Sequence, residues 1–229
     1  MKSVNFQFYG SKLQLLKKIV IHTIILFFFI MVLSSCTPAK NQQGNGNILL
    51  IDDFSTHENS WNVWENEAGS AISYYQDGLV FIINTSQFDY VSVPKGDFGD
   101  VRIEATANKL TGPDDNDFGI VCRFQDEKNY YGFIVSSDGY YGIIKVKKGA
   151  YQLLNGTNLE FSPMIHGGFE FNHLRADCIG NILNFYINET KLVEVTDSDF
   201  SFGKVGLMAG SFKTPGVAIL FDNFLVLKP

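Results

Sequence analysis

The chain beyond its first 47 residues lacks helical periodicity. From Ile48 onward, no segment of a dozen residues repeats apolar side chains at the 3.6-residue spacing of an amphipathic helix. Short runs of aromatic and β-branched residues alternate instead with turns rich in glycine, asparagine and aspartate. The sequence therefore predicts an all-β domain without a substantial helix.

Residue motifs typical of hydrolases are also missing. No E-x-D-x-x-E string places paired carboxylates on one strand face, and no G-x-S-x-G elbow is present. Of the acidic runs, residues 194–199 leave a strand for a loop, and residues 114–117 are expected to be a solvated loop cluster. The histidines His57, His166 and His173 lack zinc-site spacing. We expect a non-catalytic domain and keep a glycan-processing hydrolase or lyase as the less favoured alternative.

Positive charge is scarce outside the leader. The chain has 18 basic and 24 acidic residues, and four of the lysines lie in residues 1–35. Without that segment the net charge falls from −6 to about −10, because only lysines are lost. Such a balance argues against nucleic acid as a partner.

The leader has the composition of a signal peptide. Its four lysines and no acid precede an apolar run over residues 19–33, which is short for a membrane span. The run ends in Leu33-Ser34-Ser35-Cys36, which resembles the lipobox of bacterial lipoproteins. This resemblance implies a signal peptide over 1–35, a lipid on Cys36, a flexible tether over 36–47 and a membrane-anchored place in the cell envelope, periplasmic or outer-surface. The alternative is an ordinary transmembrane anchor.

Cysteine is rare, with three residues in all. Besides Cys36, the chain has Cys122 and Cys178, which both lie in predicted strands with apolar neighbours. An envelope location permits a disulfide between them. Buried free thiols are the preferred interpretation, and the disulfide stays open as the alternative.

Most of the chain beyond the leader carries the sequence signals of short strands and turns. Residues 118–147 read as three strands separated by two turns, and the second turn ends in Asp138-Gly139, a hairpin signal. Asp77-Gly78 gives another. About a dozen strands follow one another every eight to twelve residues between Ile48 and Pro229. This spacing predicts a two-sheet antiparallel sandwich over 48–229.

Several short motifs carry a resemblance when taken in order. They lie at residues 52–54 with Trp61, and at 118–124, 129–133, 138–141, 172–175, 186–189, 203–207 and 221–224. Together they resemble the concanavalin A-like lectin/glucanase superfamily, near its laminin-G-like and 3-keto-disaccharide hydrolase branches. Glu189 departs from the glycine common in that turn. The resemblance implies a jelly roll whose concave face often meets carbohydrate.

A ligand surface is predicted from strand alternation. If the polar faces of the meander align, Arg123, Tyr131, Tyr141 and Lys145 converge, and Tyr186, with Asn184 on the same strand face, could join them. Aromatic faces pack on sugar C–H groups while polar neighbours bind hydroxyls. The alternative is that these tyrosines are core packing. The two tryptophans, Trp61 and Trp64, are expected to serve core and edge packing.

Structural calcium is the only cofactor for which the sequence offers candidate ligands. Asp52 or Asp53 in the first strand and Asp222 in the last would supply hard oxygen ligands if the terminal strands pair. The preferred alternative is that Asp53 caps a turn and Asp222 bonds a neighbouring loop. The expected function is a lipid-anchored, lectin-like module of the envelope, with a structural or protein-interaction scaffold as the alternative.

Overall fold

The computed structural model describes residues 47–229, which belong to one compact unit over Asn45–Pro229. These residues form sixteen strands and no helix, so no segment among them offers a helix able to cross a membrane. The predicted signal peptide, the lipidated Cys36 and nearly all of the tether lie outside the described residues.

Two antiparallel sheets make up the domain. The larger has nine strands in the order β14-β13-β12-β6-β16-β4-β3-β2, and β1 pairs with β16. The smaller has seven in the order β10-β9-β8-β7-β15-β5, and β11 pairs with β9. The nine strands are β1 Ile48–Asp52, β2 Trp64–Glu65, β3 Ala71–Tyr74, β4 Leu79–Ile83, β6 Val101–Thr111, β12 Asn172–Ile179, β13 Ile182–Ile187, β14 Thr190–Thr196 and β16 Val217–Leu227. The seven are β5 Phe88–Ser92, β7 Asn116–Asp126, β8 Asn129–Val135, β9 Tyr140–Lys147, β10 Ala150–Leu153, β11 Glu160–Phe161 and β15 Lys204–Ser211. The predicted all-β antiparallel sandwich is confirmed.

The predicted meander and hairpins are present. Strands β7, β8 and β9 pair in sequence, and Gly139 takes a φ of 94° in the second turn. Strands β3 and β4 form the other hairpin, in which the positive φ falls on Gln76 and Asp77 rather than on Gly78. A Cβ at Gly78 would instead collide with the carbonyl of Phe221, so glycine is needed there for close strand approach.

The main core fills the space between the sheets. It takes the inward side chains of both, among them Phe81, Phe133, Phe185 and Phe221. Trp61 belongs to this core, and its indole N–H donates to Asp52 at 2.8 Å. Trp64 packs against the core from β2 at the edge of the larger sheet. The packing roles expected of both tryptophans are confirmed.

A disulfide joins the two sheets. Cys122 on β7 and Cys178 on β12 are bonded, with Cα atoms 6.9 Å apart. The preferred prediction of free thiols is therefore wrong, because alternation along both strands points the two sulfurs into the same core from opposite sheets. A cross-link closing a 56-residue separation stabilises a fold by roughly 3–4 kcal/mol.

A second apolar cluster covers the outer face of the seven-stranded sheet, the face turned away from the larger sheet. Its side chains alternate with core residues along the strands and include Val121, Tyr130, Ile134, Ile144 and Met208. Glycines lie between them on the same face. Ile144 and Met208 occupy the space beside Gly132 that a Cβ would need. The bulky side chains therefore lie over the glycines and are buried, although no third layer of strands is present within residues 47–229.

Candidate functional site

Arg123, predicted to face a ligand, is buried in the structure. A bulge between Cys122 and Asp126 gives Arg123 a φ of 51°, and its side chain is 1% exposed. The guanidinium donates to the carbonyls of Phe200 at 2.8 Å and Gly180 at 2.7 Å. The exposure prediction was wrong because the bulge breaks the two-residue alternation on which it depended.

Tyr131 and Lys145 do come together, but around a carboxylate of the protein itself. The Tyr131 hydroxyl donates to Asp197 at 2.5 Å, and the Lys145 ammonium reaches Asp197 at 2.5 Å and Asp199 at 2.8 Å. Burial tends to raise the pKa of Asp197, yet hydrogen bonds from Lys145 and Tyr131 outweigh it and lower that pKa. Tyr131 is fully buried and Lys145 is 8% exposed, so both lock a loop onto the sheet.

The remaining two predicted residues lie apart from these and from each other. Tyr141 is 6% exposed and donates to Glu160 at 2.9 Å, and burial together with Glu160 raises its pKa to about 12. Tyr186 lies on the larger sheet, where the Arg175 guanidinium stacks 4.1 Å from its ring centre. Its neighbour Asn184 faces the same side of β13. The predicted residues therefore do not form one exposed surface.

The terminal strands pair as the calcium hypothesis requires, with Asp52 opposite Phe224. Asp53 accepts hydrogen bonds from the backbone and hydroxyl of Ser55, and Asp222 accepts one from the Asn223 backbone. No group of three or more acidic, histidine or cysteine side chains within residues 47–229 is placed to hold a metal ion. Calcium at Asp53 and Asp222 stays a prediction.

A pocket of about 440 Å³ opens instead beside strand β5, and we call it the outer-face pocket. Its walls come from β2, from β5 with the residue before it, and from the β7–β8 hairpin end. Trp64 and Tyr90 pack against the core between the sheets, whereas Val91 and Tyr130 belong to the outer-face cluster, so the pocket extends around the edge strand β5. The lining residues are Trp64, Gln87, Phe88, Asp89, Tyr90, Val91, Glu127, Lys128 and Tyr130.

Aromatic rings form one side of this pocket. Tyr90 lies between Trp64 and Phe88, with ring centres 4.7 Å and 4.8 Å away. Asn66 donates to the Tyr90 hydroxyl at 3.4 Å, and that hydroxyl donates to Thr85 at 3.3 Å, which fixes the middle ring. Phe88 is 51% exposed. The row therefore offers fixed aromatic surface that is open to solvent, of the kind on which sugar C–H faces pack.

Asp89, which lines the pocket, belongs to a pair of facing carboxyl groups. Strand β15 pairs with β5 and β7, and Gly210 lies directly between Asp89 and Asp117. The Oδ1 atoms of both aspartates occupy the space that a Cβ at Gly210 would need. Glycine at this position thus lets two carboxyl groups meet on one face of the sheet.

The pair carries a shared proton. Asp117 is 1% exposed, and its Oδ1 atom has no donor among the described residues. Two facing acceptor oxygens need a proton between them. Burial, the charge of Asp89 and a hydrogen bond to Asp89 raise the pKa of Asp117 well above its usual range, and burial raises that of Asp89. Burial and the facing carboxyl group therefore favour a proton on the pair, chiefly at Asp117.

Tyr130 completes the polar part of the site. It lies on the same sheet face, and its pKa is raised by burial and then by the charges of Asp89, Asp117 and Glu127. Its hydroxyl therefore remains a neutral donor at physiological pH. Lys128, from the same hairpin end, is the one cation among the pocket's lining residues.

Sequence reasoning missed this site. Asp117 was assigned to a solvated loop cluster, and this is wrong, since β7 begins at Asn116 and buries both residues. Asp89 lies within β5 and is not among the site residues predicted from the sequence. The acid between Phe88 and Tyr90 was the available signal, because a charged residue within an otherwise aromatic strand is unusual and indicates a functional position.

The fold has counterparts among solved structures. A carbohydrate-binding module CBM66 from Bacillus subtilis superposes with a TM-score of 0.59 at 18% identity, covering 73% of this chain and 95% of that one. A galectin-like protein of unknown function from Bacillus subtilis gives 0.58 at 14%, covering 80% and 96%. A structure described with endo-acting O-glycanases of the human gut microbiota gives 0.55 at 10%, covering 79% and 99%. No family model and no curated protein matches the sequence. At these identities the likeness shows the fold alone.

Proposed function

We propose that this protein is a carbohydrate-binding module that takes glycan into the outer-face pocket and is held in the cell envelope by a lipid on Cys36. The observation that carries the binding proposal is that one pocket is lined both by the aromatic row of Trp64, Tyr90 and Phe88 and by Asp89 of the carboxyl pair. Stacking surface next to a few convergent polar groups is the usual composition of a sugar site.

The descriptions of three structural neighbours support this proposal. One is described as a carbohydrate-binding module, one has a galectin-like fold, and one comes from work on O-glycanases. The anchor rests on the lipobox-like Leu33-Ser34-Ser35-Cys36 alone. Incorporation of labelled palmitate, lost in Cys36→Ser, tests that part separately.

A glycan array with the full-length protein in mild detergent tests the binding. We expect Phe88→Ala to weaken binding about tenfold, since an aromatic contact of this kind is worth roughly 1–1.5 kcal/mol. Phe161→Ala is the matched control, because Phe161 is 62% exposed but does not line the pocket. Quenching of Trp64 fluorescence by the bound sugar gives a second readout. Silence across the array from folded protein would favour a protein-interaction scaffold.

A second candidate function is glycan hydrolysis, because two acids, Asp89 and Glu127, line the outer-face pocket. Glycosidases need two carboxyl groups roughly 5–9 Å apart on either side of the scissile bond. Asp89 and Asp117 touch each other and are too close to flank a bond, so Glu127, which also lines the pocket, would supply the second carboxyl group. In that case Asp89 would act as the acid and Glu127 as the base. Release of reducing ends from array-positive glycans, abolished by Asp89→Asn, distinguishes this function from binding alone.

A further inference from the structure

The carboxyl pair has no packing role that explains it. Three aspartates are buried in the described part of the chain: Asp52, Asp117 and Asp177. Asp52 accepts from Trp61, and Asp177 accepts from Arg102 and Arg175, so both are satisfied within the protein. Asp117 faces another acid instead. Asp117 therefore depends on Asp89, whose carboxyl group lines the pocket and can meet a partner from outside the chain.

The pair has the hydrogen-bonding capacity of a polyol receptor. With one proton, it offers one O–H donor and several acceptor oxygens. A sugar hydroxyl both donates and accepts, so two neighbouring hydroxyls match such a pair. The Tyr130 hydroxyl adds a further neutral donor on the same sheet face.

We infer that the Asp89–Asp117 pair makes the outer-face pocket select uncharged sugar units, which it binds through neighbouring hydroxyls, over uronic acids. This inference rests on the proposed function. The titratable groups near the pair are Tyr130 from β8 and Tyr151 from β10, and Glu127 and Lys128 line the same pocket as Asp89. Lys128 is the one cation among the lining residues and lies on an exposed turn, so the lining offers no buried positive partner for a ligand carboxylate.

The rejection of uronic acids follows from charge. A ligand carboxylate placed beside the ionised member of the pair loses its water and meets a like charge in a partly enclosed site. A neutral hydroxymethyl group in the same place meets neither cost. Discrimination therefore comes from repulsion of the wrong ligand as much as from attraction of the right one.

The test compares each neutral oligosaccharide with its own oxidised form. Cellohexaose, laminarihexaose and mannohexaose are titrated against the full-length protein, together with the same sugars carrying carboxylates at C6. We expect a neutral sugar to bind at least about tenfold more tightly than its oxidised partner. Asp89→Ala should weaken binding of the neutral sugar about tenfold by removing its acceptor.

Two variants separate charge from shape. Asp117→Asn retains one negative charge at the pair, so the ratio of neutral to oxidised affinity should persist. The double change Asp89→Asn with Asp117→Asn removes the charge and keeps the shape, so the ratio should fall below about threefold. Glu194→Gln, on the edge strand of the other sheet, is the control for net charge.

The outcomes distinguish the inference from the proposed function. If the double variant still discriminates tenfold while Phe88→Ala loses the sugar, the inference is overturned and the binding site stands. If folded protein binds none of the six sugars, the binding proposal is contradicted, and the inference with it. Loss of the ratio in the double variant alone, with Glu194→Gln unchanged, establishes the pair as the source of selectivity.

Discussion

Two aspartates on opposite sheets show how differently one fold treats a buried charge. Asp117 on the seven-stranded sheet and Asp177 on the nine-stranded sheet are 1% and 4% exposed, and each lies on the outer face of its sheet. Asp177 pairs with Arg102 at 3.1 Å and with Arg175 at 2.6 Å. Asp117 meets only Asp89. The first arrangement stabilises the fold, whereas the second costs stability and is the mark of a site.

The two outer faces differ throughout in the same way. The nine-stranded sheet displays a network of ionic side chains in which Glu104, His173 and Arg175 extend the pairs around Asp177. The seven-stranded sheet displays glycines under flat apolar side chains, with the outer-face pocket at one edge. We therefore expect the first face to tolerate substitution and the second to resist it.

The largest expected effect is a loss of stability when a glycine on the outer face of the seven-stranded sheet is replaced. Gly132→Val on the seven-stranded sheet would drive a side chain into Ile144 and Met208, and we expect a loss of about 3 kcal/mol of unfolding free energy. Thr106→Val, on the outer face of β6 in the other sheet, should change it by less than about 1 kcal/mol. Urea unfolding of both variants checks this. Equal losses would contradict the assignment of a tightly packed outer face.

The next largest changes in stability are expected on replacing Asp177 and Asp117, the two aspartates compared above. Asp177→Asn should destabilise the protein by about 2 kcal/mol, because two arginines lose their charged partner. Asp117→Asn should instead stabilise it by about 1 kcal/mol at pH 7, because the amide donates a hydrogen bond to Asp89 without taking up a proton.

The sign of the Asp117 effect depends on pH. Because the native pKa of Asp117 is raised, the native state binds its proton more tightly than the unfolded state does. The wild type therefore keeps this stabilisation below the unfolded pKa near 3.8 and loses it as pH rises through the native value. The advantage of Asp117→Asn should vanish at about pH 4 and grow towards pH 8. An advantage that is independent of pH would contradict the shared proton.

The smallest expected effect is at His173. Its imidazole lies 3.5 Å from Glu104 and 3.1 Å from Glu189, and the hydrogen bond to Glu104 is the main reason that its pKa is raised. This contribution is present below pH 6.5 and is lost as pH rises through the native pKa. Since His173 is about one-third exposed, His173→Gln should cost only about 0.5 kcal/mol at pH 6 and almost nothing at pH 9. Thermal melts at the two pH values measure it.

The fold could be predicted from the sequence because its signals are local. The hairpin turns at Asp77-Gly78 and Asp138-Gly139 each show their structure within a few residues, and the strands between the turns are short. The inter-sheet disulfide was within reach, since both cysteines were assigned to strands, but which strands face each other across the core is not a local property.

The site could not be predicted for the same reason. Asp89 and Asp117 meet only because β15 lies between β5 and β7 in a register that puts Gly210 opposite both. Arg123 was misplaced by a single bulge, which reverses the side of the strand on which each later residue lies. Strand order and bulges are set by the whole sandwich, so a stretch of sequence does not reveal them.

The Cys122–Cys178 bond has a mechanical consequence under the proposed function. A chain held by its N-terminus passes load into β1, which belongs to the nine-stranded sheet, whereas a glycan in the outer-face pocket pulls mainly on β5 of the seven-stranded sheet. Tension between membrane and glycan would then act to slide one sheet over the other. The disulfide links the two sheets at their interface, so that the shear force is resisted by a covalent bond in addition to side-chain packing.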